Sequence, residues 1–256
     1  MSGVGLRRTC LETLAATRDR RLGMGRHYLY PAIQDQSAEA VSQLQVMQML
    51  WEMLAEGLLY VNYSQPAPEN WAWELTERGR RAAANGEYEP SDPGGYLDRL
   101  RARIAGLDEL VLLYAAEALQ AYGAGCYLAS SVMIGVASER AFQLVGEAFA
   151  KWLPETEEQK FRQTVDNPSR TYSAKFGEFR KRLEPHKPQL PADFGENMAL
   201  TLDSVLDLLR ITRNEAGHPT GRRIEREDAY INLQMFARYL ERMFELRGFL
   251  AGAARG

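Results

Sequence analysis

AGCYLASSVMIGVASERAFQLVGEAFAKW, residues 124–152, decides the architecture of this chain. Its middle is almost entirely small or apolar, so it should form a helix enclosed by other helices rather than one lying on a surface. Pro154 marks its exit, because proline lacks an amide hydrogen and clashes with the preceding turn. Before it, residues 96–122 carry Leu97, Leu100, Ile104, Leu107, Leu110, Val111 and Tyr114 at helical intervals. After it, further helices are expected over about 197–216, packing through Leu202, Val205, Leu206 and Leu209, and over about 225–247. The C-terminal part reads as a bundle of four or more helices, with an insert between the second and third.

The insert is chemically distinct. Residues 160–188 contain Lys160, Arg162, Arg170, Lys175, Arg180, Lys181, Arg182 and Lys187, against only Asp166, Glu178 and Glu184. Phe161, Tyr172, Phe176 and Phe179 lie among them. Cations interleaved with aromatics can hold phosphates and stack bases. The same pattern also describes a solvated amphipathic helix anchored by its phenylalanines.

Towards the N-terminus the pattern changes. A first helix is expected over residues 5–22. Pro31 suits a first helical turn, Ser37 suits a helix cap, and Val41, Leu44, Met47 and the run from Met49 to Leu54 follow at helical spacing. LLYVNYS, residues 58–64, is strand-like, and WAWEL, residues 71–75, reads as its returning partner after the turn QPAPEN. Thr76 then suits the N-cap of a short helix, with Gly86 past its end. EYEPSDPGG, residues 87–95, has the composition of a linker. Helix, helix, two-stranded ribbon and short helix in that order resemble a winged helix-turn-helix domain. That resemblance implies DNA reading through a helix in the major groove. However, QLQVMQMLWEMLAEG, which would hold the recognition helix, has no arginine or lysine, and phosphate neutralisation is a large part of DNA affinity. A packing, dimerisation or partner-binding module is the competing reading.

Bulk properties narrow the classes further. The chain has 256 residues and a formal net charge of −3, so it is not a polycation that coats nucleic acid indiscriminately. The two cysteines, Cys10 and Cys126, fit a reducing compartment. The start lacks the apolar core of a signal peptide, and no apolar stretch is long enough to span a membrane, so a cytoplasmic protein without membrane contact is expected. His27 and His186 have no companions at metal-ligand spacing. Neither a metal nor another cofactor is expected.

RNEAGHPTG, residues 213–221, closes the leucine-rich third helix with a dense polar cluster. Gly217 suits the left-handed residue after a helix, and Pro219 forbids continuation and restricts His218 to extended geometry. Arg213 and His218 thus form a short-range pair of a permanent cation and a group that titrates near neutrality. Such a pair suits RNA cleavage: the histidine as general base or acid, the arginine on the developing phosphoryl charge. Alternatively Arg213 pairs with a core carboxylate and His218 caps the helix.

Arg-Asn-x-x-x-His at the exit of the third helix of an all-helical bundle resembles the signature of HEPN domains. YLASSVMIGVASERAFQ, residues 127–143, is similar to a HEPN helix, with Glu139 at the glutamate position. An arginine common a few positions earlier in the family is replaced here, where Gly135 and Val136 stand. The resemblance covers roughly residues 96–247. The fold it implies is mainly α: residues 1–90 a small α+β winged-helix-like domain with an N-terminal helix, and residues 91–256 a HEPN-like helical bundle with the basic insert at about 160–190.

The family resemblance also implies function. It implies a metal-independent endoribonuclease that leaves 2′,3′-cyclic phosphate ends and works as a homodimer. Toxin–antitoxin or antiviral defence, with an antitoxin or other regulatory partner, would be its setting. By that analogy Arg213 and His218 are catalytic and Asn214 orients the histidine or the scissile phosphate. Glu139 interrupts an otherwise apolar face and needs a partner; Arg213 is the candidate, a contact that would either position the arginine or neutralise it into a structural role. Arg170, Lys175, Arg180, Lys181, Arg182, Arg222 and Arg223 are the candidate RNA contacts. The alternative is a non-catalytic HEPN protein that binds nucleic acid or organises an assembly, such as a transcriptional regulator whose N-terminal domain contacts DNA.

Overall fold

A computed structural model describes residues 3–16, 26–37, 40–64, 67, 71–84, 89–191 and 223–253. The protein is mainly helical, with one two-stranded sheet among the described residues. It forms two compact units, Met1–Arg99 and Leu100–Gly256.

The first unit begins with α1 (Gly3–Ala16), α2 (Arg26–Gln36) and α3 (Gln43–Ala55). Helix α1 supplies Leu6, Cys10, Leu11 and Leu14 to a core that also takes Leu29 and Ile33 from α2 and Val46, Leu50 and Met53 from α3. Pro31 lies well inside α2 rather than in its first turn, where its missing N–H costs a helical hydrogen bond. The cap of α3 is Ser42, not Ser37. Ser42 Oγ accepts from Gln45 N (3.3 Å) and the Gln45 side chain accepts from Ser42 N (2.8 Å), a reciprocal capping box. Ser37 Oγ donates instead to the Ile33 carbonyl (2.7 Å) at the end of α2. This phase turns Leu44 outward, 69% exposed, and buries Val46.

Strands β1 (Leu59–Asn62) and β2 (Ala72–Leu75) pair antiparallel, with Leu59 opposite Leu75 and Val61 opposite Trp73. The alternation buries Leu59, Trp73 and Leu75, while Tyr60 and Glu74 face outward and bond to each other. Helix α4 (Glu77–Ala84) follows at once. Its cap is Thr76, whose Oγ1 accepts from Gly79 N (3.0 Å) and donates to the Gly57 carbonyl (2.8 Å). Gly86 lies outside the described residues.

The stretch read as a linker is, over its described part, buried structure. Glu89, Ser91 and Asp92 are each under 4% exposed. Asp92 caps α5 (Pro93–Arg103), accepting from Gly95 N (3.1 Å), with Pro93 at the first helical position. Its carboxylate also takes a hydrogen bond from Arg7 of α1, and Arg7 donates to Glu56 past the end of α3. Arg78 adds a bond to the Ser91 carbonyl (2.9 Å). Burial disfavours the charged form of Arg7, but Asp92 and Glu56 outweigh it and hold its pKa above the ordinary guanidinium value. The boundary between the two units falls inside α5.

In the second unit the apolar run over 96–122 is broken. Gly106, at φ 67°, ends the first segment, and Asp108 starts α6 (Glu109–Gly123) by accepting from Leu110 N (3.1 Å) and Val111 N (3.2 Å). The 26-residue α7 (Tyr127–Trp152) is the central helix, packed against α6 and against α10 (Arg226–Ala253). Its small residues, Ser131, Gly135, Ala137, Ser138 and Ala141, are buried. Ser131 and Ser138 are satisfied locally or across the interface: Ser138 Oγ donates to Ile134 O (2.8 Å), Tyr239 OH donates to Ser138 O (3.0 Å), and Asn232 Nδ2 donates to Ser131 Oγ (3.3 Å). Between α7 and α10 the chain forms α8 (Glu155–Val165), α9 (Tyr172–Leu183) and a 3₁₀ turn (Glu184–Gln189). Among the described residues no helix is long and apolar enough to cross a membrane.

Candidate functional site

Arg213, Asn214, His218 and Arg222, together with the third helix expected over 197–216, lie outside the described residues. The described groups of chemical interest gather on one face of α7 and on the two helices that follow it.

The phenylalanines of the basic insert point inward. Phe161, Phe176 and Phe179 are at most 1% exposed and pack edge-on or tilted against Phe142 and Phe149 of α7, with ring centroids 5.0–5.6 Å apart. Their burial holds α8 and α9 against α7 and leaves these rings unable to stack on a base. Several cations of the insert are also committed. Arg162 binds Glu158 (2.8 Å) and Asp166 (3.7 Å), and Arg182 binds Glu178 and Glu157. Lys160 shares Glu157 at 3.3 Å. Hydrogen bonding and charge from Lys160, then Arg182, hold the Glu157 carboxyl below its ordinary pKa. The acids that neutralise the insert thus come partly from residues 157 and 158, just before the basic window. Arg182, expected to face RNA, is an intramolecular ion-pair partner instead. Arg180 is half-buried, whereas Arg170, Lys181 and Arg223 are exposed.

Helix α7 carries Glu139, Gln143 and Glu147 four residues apart, so they share one face. Glu139 is half-buried rather than enclosed. Gln143 Nε2 donates to Tyr172 OH at the start of α9. Burial, and next the charge of Glu139, push the Tyr172 phenol above its ordinary pKa, opposed by the bond from Gln143. Tyr172 is fixed by its neighbour Thr171, which caps α9 by accepting from Ala174 N (3.1 Å). Lys175 Nζ sits 5.5 Å from the centre of the Tyr172 ring. On the adjoining face Arg140 reaches Asp108 (3.0 Å), tying α7 to the cap of α6.

Between α7, α8 and α9 these groups enclose a cleft of about 280 Å³. Phe142, Gly146, Ala150, Phe161 and Val165 form its apolar lining, and Gln143, Glu147, Arg162, Asp166, Tyr172 and Lys175 its polar one. Gln143 and Glu147 carry no recognisable motif. Their signal was the four-residue polar repeat on an otherwise apolar helix. His186 packs edge-on against Trp152 at 4.8 Å, an ordinary aromatic contact. No group of three or more metal-binding side chains occurs among the described residues.

No family model matches the chain, and neither a curated protein nor a solved structure does.

Proposed function

We propose that this protein is a metal-independent endoribonuclease of HEPN type, acting as a homodimer. The observation that carries the reading is the sequence constellation Arg213-Asn214-x-x-x-His218 with its Gly217 and Pro219 exit. The packing of α6 and α10 about α7, with Glu139 on α7, is compatible with the bundle that the motif requires. In the reaction His218 accepts the 2′-OH proton as the 2′ oxygen attacks phosphorus. The P–O5′ bond breaks, the 5′ oxygen takes up a proton, and Arg213 neutralises the phosphoryl oxygens. Arg170, Lys181 and Arg223 remain exposed for the RNA backbone. A toxin or phage-defence setting follows from the family resemblance alone.

The first unit serves this reading as a winged-helix-like module for a regulator or partner. The face of α3 that would enter a DNA groove exposes Leu44, Gln48 and Trp51 and carries no cation, which favours a protein ligand over DNA.

The deciding experiment incubates the purified protein with a mixed RNA panel in EDTA, beside His218→Ala. Cleavage by the wild type that the variant loses, with 2′,3′-cyclic phosphate ends, is the expected outcome. Equal background from both proteins would sink unassisted catalysis and leave the binding and assembly reading.

A further inference from the structure

Gly146 is a buried residue in the interior of α7, a position where glycine weakens a helix relative to alanine. Packing does not ask for it. A Cβ built there would meet only Val165 Cγ1, at an ordinary 3.8 Å. What a larger side chain would do is fill the cleft between α7, α8 and α9, which Gly146 lines.

The charges around that cleft divide into two kinds. Arg162 and Asp166 pair with each other. Glu147 and Lys175 do not: neither forms an ion pair with the other or with any other described residue, although both line the same space. The Lys175 ammonium is instead steadied over the Tyr172 ring. Glu147 feels the charge of Arg140, one of its neighbours on α7, without pairing with it, so a carboxylate and an ammonium outside any ion pair among the described residues line a cleft whose apolar side is Phe142, Phe161 and Val165.

We propose that this cleft binds an apolar α-amino acid as its zwitterion. The ligand's ammonium meets Glu147, its carboxylate meets Lys175, and its side chain occupies the space above Gly146. The opposite charges make the site poorly suited to a polyanion, because Glu147 would repel the phosphates that Lys175 attracted. Its size suits a ligand at or just below the lower end of small-molecule pockets. The proposal is independent of the nuclease reading, and an absence of RNA cleavage leaves it standing.

The test is calorimetric titration of the full chain with L-leucine, L-methionine and L-phenylalanine. N-acetyl-L-leucine, which lacks the cation, and L-leucinamide, which lacks the anion, are titrated beside them. At least one amino acid should bind with a Kd below about 1 mM, and both leucine derivatives should bind at least about tenfold more weakly than leucine. Gly146→Leu should abolish binding while keeping the helical circular dichroism spectrum. The rim variants Glu147→Gln, at an exposed position, and Lys175→Gln, at a half-buried one, should each weaken it about tenfold without moving the melting temperature. Failure of all three amino acids to bind at millimolar concentration overturns the proposal. So does undiminished binding by the two leucine derivatives or by folded Gly146→Leu. If Gly146→Leu does not fold, wild-type affinity in both rim variants overturns it equally.

Discussion

Gly79 of α4 lies so close to Leu58 that a Cβ on it would stand 2.1 Å from the Leu58 carbonyl oxygen. That oxygen already accepts from Thr76 N (2.9 Å), so it cannot move without breaking the join between β1 and α4. Gly79→Ala should destabilise the first unit by about 2 kcal/mol or more, beyond the usual range for a surface helix change. Urea unfolding followed by tryptophan emission reads it, since Trp51, Trp71 and Trp73 all belong to that unit. A loss below about 0.5 kcal/mol would mean that α4 shifts freely on β1.

Arg7 is 4% exposed and Asp92 3%, so removing the guanidinium leaves an enclosed carboxylate that keeps the Gly95 amide (3.1 Å) and, as a charge partner, the long contact to Arg99 (3.9 Å). Arg7→Met should cost about 3–5 kcal/mol. Combining it with Asp92→Leu should recover part of that loss, because the stranded charge disappears while the helix cap is sacrificed. Additive losses in the double variant, measured by the same unfolding assay, would show that the two residues act separately.

The hydrogen bond from Arg140, with the backbone N–H of Val111 and the charge of Arg140, holds Asp108 below its ordinary pKa of 3.8 despite the opposing effect of burial. A depressed folded-state pKa stabilises the fold above the unfolded value. The contribution is complete above about pH 5 and is lost as the pH falls through 3.8 towards the lower folded value. Asp108→Asn should keep most of the cap yet flatten the acid limb of the stability profile, whereas Asp108→Ala should cost about 1 kcal/mol at neutral pH. An unchanged acid limb in Asp108→Asn would remove Arg140–Asp108 from the account of acid stability.

The two cysteines should separate cleanly towards a thiol reagent. Burial pushes the Cys10 thiol up to about 12, against the pull of nearby Arg7, whereas Cys126 is exposed ahead of α7. Thiolate is the reacting species. With DTNB at pH 8 the native protein should release one equivalent of colour quickly and a second only on denaturation. Two fast equivalents would show that α1 opens readily from its unit.

The sequence carried the elements whose signals are local. Alternation and a proline-containing turn placed the ribbon, and the small, apolar run of α7 marked the central helix. The break at Gly106 was hidden because Leu100, Ile104, Leu107, Leu110 and Val111 stay in helical phase across it, although Asp108 two residues later was a legible cap. Ser37 and Ser42 are equivalent as caps until packing selects which face of α3 is buried. Glu89 to Asp92 have a linker's composition, and partners distant in the sequence, Arg7 on Asp92 85 residues away and Arg78 on Ser91, help turn them into buried structure. The insert's phenylalanines could equally have stacked on bases or anchored a helix; the facing Phe142 and Phe149 decided for the second.

That 85-residue span also sets an order of events during synthesis. Asp92, the second carboxylate partner of Arg7, is added roughly 4–17 s after Arg7 at about 5–20 residues per second. Until then the guanidinium has only Glu56 to meet, and α5 has no cap. The N-terminal unit is therefore sealed by nearly its last residues, and a nascent chain halted before Asp92 should remain open to proteases and chaperones that the finished unit excludes.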